Sequence, residues 1–299
     1  MYNPEDIHEE VRRILRARQM ELHEQIGEFT PKKPDQENVS PIKKNGGLSP
    51  SNMFRLLNFP IGSEYCPVVL NKDIGEEELA EAVFYHDCKK VINMIVGKSR
   101  VKATVTGNFN REFVDYALDI LGDDWEIRKY CKVINEEDFF KLHKIRIILN
   151  FAGIIKKNNG YIIVTQKAKD YIDGKKKGLY ALLFQAFFGR LNLAYLDRFD
   201  DFPEVQNTVN FSIYMARERC SEFVDALLFS RMVLYDGLGL NIKYKDYLSR
   251  PYMKDRLELV HGARFINPML HFGLFEKNNK KQYKIRKSRL LDRFIDFRF

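Results

Sequence analysis

Thirteen residues decide how the chain is read: Gly153-Ile154-Ile155-Lys156-Lys157-Asn158-Asn159-Gly160-Tyr161-Ile162-Ile163-Val164-Thr165. Two short apolar runs flank an Asn/Gly turn, the pattern of a β-hairpin. Upstream, Asn135-Glu136-Glu137-Asp138 predicts a helix start and Gly153 its stop, with Phe139, Leu142, Ile145, Leu149 and Ala152 on one stripe. Downstream, Ala168, Tyr171 and Ile172 predict a short helix. Helix, hairpin, helix is the tail of a winged-helix unit, a helix-turn-helix variant with a β-hairpin wing.

The same order recurs 120 residues later, where Gly273-Leu274-Phe275-Glu276-Lys277-Asn278-Asn279 aligns with Gly153 to Asn159. Two residues added to the turn bring Tyr161 onto Tyr283, Ile163 onto Ile285 and Ala168 onto Leu290. The preceding helix, expected over Arg256 to Phe272, carries Pro268 where the first copy has Ile148, so a kink or a shortening is expected there.

Outward from these units the chain divides into four parts. Residues 1–29 read as an amphipathic helix: Asn3 caps it, Pro4 opens it, and Ile7, Val11, Ile14, Leu15, Leu22 and Ile26 form a stripe. That stripe docks on the body of the chain or, through residues 4–26, on a partner or a second copy. Residues 30–50 form a flexible basic linker rich in Pro, Gly and Lys. Residues 51–178 form a helical domain that ends in the first winged-helix-like unit, near 100–175. Its helices are expected over Ser51–Leu57, over Glu76–Val96, and from Asn110 to a stop at Gly122. Residues 179–299 end in the second unit, near 250–299. The helical block Leu179–Leu248 joins the two units, with Leu182, Leu183, Phe187, Phe188, Phe211, Tyr214, Phe223 and Leu227 expected in its core. The fold class is mainly α with small β-hairpins.

Composition agrees with a globular protein. Of 299 residues, 45% are apolar and 30% charged, with 23 Phe and 15 Tyr, so a substantial core can be buried. The first residues contain no apolar signal core, and no run of about 18 apolar residues exists, so the expectation is a cytoplasmic protein without a membrane span. Cys66, Cys88, Cys131 and Cys220 are scattered without metal-ligand spacing and are expected as reduced thiols.

A series of short motifs in order carries a resemblance. Thr106-Gly107-Asn108-Phe109-Asn110-Arg111, Asn135 to Phe139 with Leu142-His143, and Val164-Thr165 with Lys167 begin it. Leu179-Tyr180 with Leu183-Phe184, Leu191 to Arg198, and Gln206 complete it. Over roughly residues 75–299 the chain resembles the helical region that accompanies the plasmid pRiA4b ORF-3-like domain in bacterial proteins. The resemblance implies the architecture and a bacterial or mobile-element origin. It implies no catalytic residue.

Signatures of common enzymes are missing from the sequence: no GxSxG, HExxH, Walker loop or Rossmann glycine string occurs. Asp236-Gly237-Leu238-Gly239-Leu240 reads as a turn. His86-Asp87-Cys88 lies on one helix, where neighbours diverge by about 100° and form no Cys–His pair. His143 is expected to be a satisfied structural histidine. Asp197, Asp200, Asp201 and Glu204 gather carboxylates of the kind that hold a divalent metal, but their spacing is loose and a structural Asp197–Arg198 corner is preferred. No cofactor or metal is therefore expected, and an enzyme is the less favoured reading.

Charge is more informative. The formal net charge is +8. Residues 154–178 hold seven Lys against two Asp, and residues 275–299 nine Lys/Arg against three acids, so the remainder is net acidic. Positive charge is thus concentrated on the two wings and their trailing helices. The expectation is a non-catalytic nucleic-acid-binding protein, for DNA or RNA. It would meet phosphates through Lys156, Lys157, Lys167, Lys169, Lys277, Lys280, Lys281, Lys284, Arg286, Lys287 and Arg289, with little base readout. The competing reading is a protein-interaction module, an adaptor or inhibitor, that meets an acidic protein surface through the same units and the N-terminal helix.

Overall fold

Ser49 caps α1 (Pro50–Asn58) by accepting from Asn52 N at 3.2 Å, and the helix stops at Phe59, before Pro60. The computed structural model describes residues 39–42, 46–122, 127–197, 202–250, 253, 255–278 and 283–299. The expected helix over 4–26 and most of the 30–50 linker lie outside these residues. The described residues are mainly helical, with three small antiparallel sheets.

After β1 (Val68–Leu70) comes α2 (Val83–Gly97), which begins seven residues later than the acidic run Glu76-Glu77-Glu78 suggests. Residues 75–82 form tight turns instead. Glu76 faces sideways to accept from Tyr85 Oη at 2.7 Å and Lys89 Nζ at 2.9 Å, and a His86 ring nitrogen meets Leu79 O at 2.8 Å. β2 (Val101–Lys102) leads to α3 (Arg111–Leu121), closed as expected by left-handed Gly122, and then to α4 (Ile127–Tyr130). α5 (Phe140–Phe151) also starts late. Asp138 Oδ2 turns back onto Asn135 N at 2.8 Å while Glu136 points into the core.

The predicted hairpin forms as β3 (Ile155–Asn158) and β4 (Tyr161–Val164), turning through positive-φ Asn159 and Gly160, and α6 (Gln166–Ile172) follows. β2 adds to the far side of β4, so the sheet order is β2-β4-β3.

Next come α7 (Leu179–Arg190), α8 (Leu193–Asp197), α9 (Glu204–Asn207), α10 (Val209–Arg219) and β5 (Val224–Asp225). α11 (Ala226–Arg231) runs into a π turn over Met232–Gly237, and α12 (Leu240–Lys243) and α13 (Lys245–Leu248) follow. Gly237 closes that π turn, and a Cβ there would meet the Phe211 ring at 2.6 Å. α14 (Arg256–His261) passes through a second π turn, Gly262–Ile266, into α15 (Asn267–His271). Pro268 therefore does not shorten this helix. Its missing N–H is absorbed by the wider turn, in which Asn267 N donates to Gly262 O. The chain ends with β6 (Phe275–Asn278), β7 (Lys284–Lys287), α16 (Arg289–Phe294) and β8 (Ile295–Phe297), which pairs with β1.

The second hairpin takes its third strand from β5, inside the segment read as a joining block, and the order β5-β7-β6 matches the first sheet. The repeat extends to single hydrogen bonds. Gly153 and Gly273 have φ of 69° and 73°. Thr165 Oγ1 donates to Gly153 O and Ser288 Oγ to Gly273 O, each at 2.7 Å. Ladder pairing sets Ile162 against Lys157 and Val101, and Ile285 against Lys277 and Val224. Ile285 therefore matches Ile162, not Ile163, and the second turn is three residues longer, not two. A one-residue slip would have put the wrong face inward.

α7 packs on α5, and its aromatic side chains bind the two units together. The Phe272 ring lies 5.1 Å from Phe84, 5.3 Å from Phe184 and 5.5 Å from Phe187, and Tyr180 Oη donates to Phe272 O at 2.6 Å. Of the expected core residues, Leu183, Phe187, Phe188 and Phe211 are buried, and Leu182, Tyr214 and Phe223 are partly so. Leu227 is 44% exposed because the inward side of α11 is taken by Ala226, Phe229 and Ser230.

Candidate nucleic-acid interface

Strand alternation sorts the cations of the first hairpin onto two faces. Val101, Ile155 and Ile162 are buried, so Lys157, in register with Ile162, points to the body, and its Nζ donates to Val105 O at 3.0 Å. The outer face carries Lys102 and Asn158 beside Tyr161, and Lys156 opposite Ile163. Arg100, two residues before Lys102, lays its guanidinium over the Tyr161 ring at 4.3 Å. Arg100, Lys102 and Lys156 are all exposed, and no carboxylate shares these strand positions.

Equivalent positions on the second sheet are charge-balanced. Lys156 is matched by Glu276, Lys102 by Asp225, and Arg100 by Phe223. Arg286 is paired with Glu276 and stacks over Phe223 at 4.6 Å, and Lys287 pairs with Asp292 at 2.9 Å. Lys284 lies opposite Asp225, and Lys277 shares the face of Ile285 as Lys157 shares that of Ile162, both lysines remaining exposed. On the trailing helices, Lys167 Nζ donates to Ala152 O at 3.1 Å, while Lys169 and Arg289 are exposed. Lys280 and Lys281 lie outside the described residues. Among the described residues, the outer-face cations without a paired carboxylate on their ladder lie on the first sheet. Arg100, Lys102 and Tyr161 escaped the sequence reading. Their signal was the alternation Arg100-Val101-Lys102, which acquires meaning only once β2 is known to pair with β4.

The helices that precede the hairpins offer little to a groove. On α5, Lys141 Nζ pairs with Asp87 at 3.0 Å, Lys144 is largely buried, and Arg146 Nε donates to Glu136 at 2.6 Å. Phe140, Asn150 and Phe151 are its exposed residues. On α14–α15, Arg264 is fully buried and pairs with Asp197 at 2.7 Å. These two helices therefore present few free cations to a groove among the described residues.

The singled-out chemical residues have internal partners. Buried Glu136 accepts from Phe109 N at 2.5 Å, Arg146 Nε at 2.6 Å and His143 Nδ1 at 2.7 Å, while His143 Nε2 meets Tyr195 Oη at 3.2 Å. Arg146 also donates to Asn108 Oδ1 at 2.7 Å. Apart from Arg146 these are residues of the motif series, and together they join the 104–110 loop, α5 and α8 into one network. Asp197 pairs with Arg264, and Glu204 bonds Lys243 and Tyr244; Arg198, Asp200 and Asp201 lie outside the described residues. Among the described residues no group of three or more His, Cys, Asp or Glu is placed to share a metal. Cys88 is fully buried, and burial pushes its thiol well above the ordinary range, against a thiolate nucleophile. All four cysteines are unbridged. A cleft of about 580 Å³ between the 71–79 loop, α2 and residues 171–181 has its charges largely paired, Lys177 with Asp73 at 2.6 Å and Lys89 with Glu76 at 2.9 Å. No helix among the described residues is long and apolar enough to cross a membrane.

Residues 80–177, from just before α2 to the residues after α6, match the family model of the Y4jL N-terminal domain. No curated protein matches the chain, and neither does any solved structure.

Proposed function

We propose that this is a non-catalytic nucleic-acid-binding protein whose first three-stranded sheet lies against a phosphate backbone. Each helix–strand–helix–helix–hairpin unit is read here as winged-helix-like. The observation that carries the proposal is the outer face of β2-β4-β3, where Arg100, Lys102 and Lys156 lie around Tyr161 and no described carboxylate occupies a paired strand position. Stacking on Tyr161 holds the Arg100 fork in place, which lowers the entropy cost of a phosphate contact. The two buried helices argue for backbone contact without base readout. The setting we attach to this reading is the bacterial mobile element implied by the pRiA4b ORF-3 resemblance.

Three or four phosphate contacts predict a slope of log K against log salt of about −3 on duplex DNA. Arg100→Glu, Lys102→Glu and Lys156→Glu should each weaken binding across all sequences, and each should flatten the slope by about 1. Fluorescence anisotropy with duplex, single-stranded DNA and RNA probes tests this and identifies the ligand class. No association with any of the three at about 50 mM salt overturns the proposal. A protein-interaction module is the second reading, favoured by the exposure of Leu227 (44%), Leu228 (53%) and Leu259 (54%) on α11 and α14. That face would remain in play if all three probes failed.

A further inference from the structure

β2 does not pass straight into α3. Ala103 N still donates to Gly160 O at 2.8 Å, and the chain then makes a tight turn over residues 104–107 before Phe109 bridges back to Ala103. The turn therefore stands beside the Asn159-Gly160 turn, at the end of the sheet whose outer face carries Arg100, Lys102 and Lys156. At its tip Val105 is 93% exposed, more than any other large apolar side chain among the described residues.

The exposed tip is braced. Thr104 N donates to Asn108 O at 2.8 Å, Gly107 N to Thr104 O at 3.0 Å and Asn108 N to Thr104 Oγ1 at 3.0 Å. Lys157 Nζ reaches from β3 to Val105 O at 3.0 Å. The base of the turn is tied inward, where Asn108 meets Glu137 at 2.8 Å and Arg146 at 2.7 Å, and Phe109 N donates to buried Glu136. This network thus holds an apolar side chain out in water on a fixed backbone, which keeps the entropy cost of docking it small.

The second unit is built without this turn. Ala226 N donates to Tyr283 O at 3.0 Å, the counterpart of the Ala103 bond, but the chain enters α11 at once, and Asp225 Oδ1 caps it by accepting from Leu228 N at 3.0 Å. The protruding turn and the outer cations that lack a carboxylate on their ladder occur on the same copy.

We infer that the 104–107 turn enters the minor groove of duplex DNA, with Val105 as its apolar point. The inference rests on the proposed phosphate contacts of the first sheet and names the nucleic acid they serve. A single four-residue turn suits a groove about 6 Å wide, whereas the major groove, about 12 Å wide, takes a helix or a two-stranded ribbon. The minor groove of A-form RNA is wide and shallow, a poor match for a narrow tip. Thr104 Oγ1 and Thr106 Oγ1 lie 3.0 Å apart, so one hydroxyl donates to the other and one hydrogen is left for a ligand. An A·T pair offers that hydrogen the acceptors A N3 and T O2, while the G N2 amino group of a G·C pair stands in the way of an apolar side chain. The turn should therefore prefer A·T to G·C and read the sequence no further.

Fluorescence anisotropy of the full chain on three duplexes of equal length tests this, their centres being A·T, G·C and I·C; inosine removes only the minor-groove amino group. The A·T and I·C duplexes should bind alike and about fivefold more tightly than the G·C duplex. Val105→Ser, at a position with no packing to lose, should bring the three affinities together and leave the salt slope unchanged. Lys102→Glu should weaken all three and keep their ratio. The inference is overturned if the unaltered protein shows no A·T preference, if I·C behaves as G·C, if Val105→Ser keeps the full ratio, or if only single strands or RNA bind. In each of these cases a loss of affinity on Lys102→Glu still upholds the sheet contacts, so the groove contact can fall while the proposed function stands; absence of binding to every probe removes both.

Discussion

Glu136 accepts three donors while fully buried, so its charge is met inside the protein instead of by water. Glu136→Ala leaves Arg146, His143 and Phe109 N without their acceptor, and urea unfolding should register a loss of about 3–5 kcal/mol. Glu136→Gln should cost less, because one carbonyl oxygen remains. His261 is the opposite case. It is fully buried between Ser212 Oγ at 3.0 Å and Ser230 Oγ at 2.9 Å, and burial pushes its pKa down to about 3. The folded state thus binds a proton less readily than the unfolded chain, whose histidine titrates near 6.5. Its contribution is complete above about pH 6.5 and is lost progressively as pH falls towards 3. His261→Gln should lower stability at pH 7 but flatten the decline between pH 6.5 and 4. Parallel melts across that window check it, and an unchanged slope would contradict the assignment.

Between elements, the two matched glycines give a controlled comparison. Both Gly153 and Gly273 are left-handed, so alanine costs roughly 1 kcal/mol at each through the backbone. A Cβ at Gly153 meets only Lys167 Nζ at 3.9 Å, whereas one at Gly273 presses on the backbone of Glu81 and Ala82 at 3.0 Å. Gly273→Ala should therefore lower the melting temperature clearly more than Gly153→Ala, and equal losses would mean that the junction yields. The sheets differ in the same instructive way: one ladder geometry carries three cations in the first and balanced pairs in the second. Asp225→Lys with Glu276→Lys would give the second sheet the charge of the first. Under the proposed function this double change should tighten nucleic-acid binding and steepen the salt slope by up to about 2.

At the scale of the whole molecule, the unit matched by the Y4jL model is not closed on itself. Phe84 is covered by Phe187 and Phe272, which lie outside residues 80–177. A fragment of residues 80–177 should therefore expose this apolar face and melt at lower temperature than the full chain, or self-associate, as light scattering and circular dichroism would report. The terminal strand acts over a similar distance, since β8 pairs with β1 and Tyr214 packs against Phe297 at 5.5 Å.

Local chemistry alone determined the mainly helical class, the Asn159-Gly160 hairpin, its recurrence and the structural role of His143, whose ring meets Glu136 seven residues away. Each of these follows from period, turn residues or the cost of a buried polar group, all written within a few residues of one another. Tertiary structure decided the rest. Helix starts moved because Glu76 and Glu136 found better partners in three dimensions than at a helix end. The second hairpin register shifted by one because burial of Ile285 against Val224, 61 residues away in sequence, selects the inward face. Counting lysines located two basic wings, but charge acts through neighbours in space, and only the fold shows that Glu276, Asp225 and Asp292 neutralise one sheet while Arg100 and Lys102 reinforce the other.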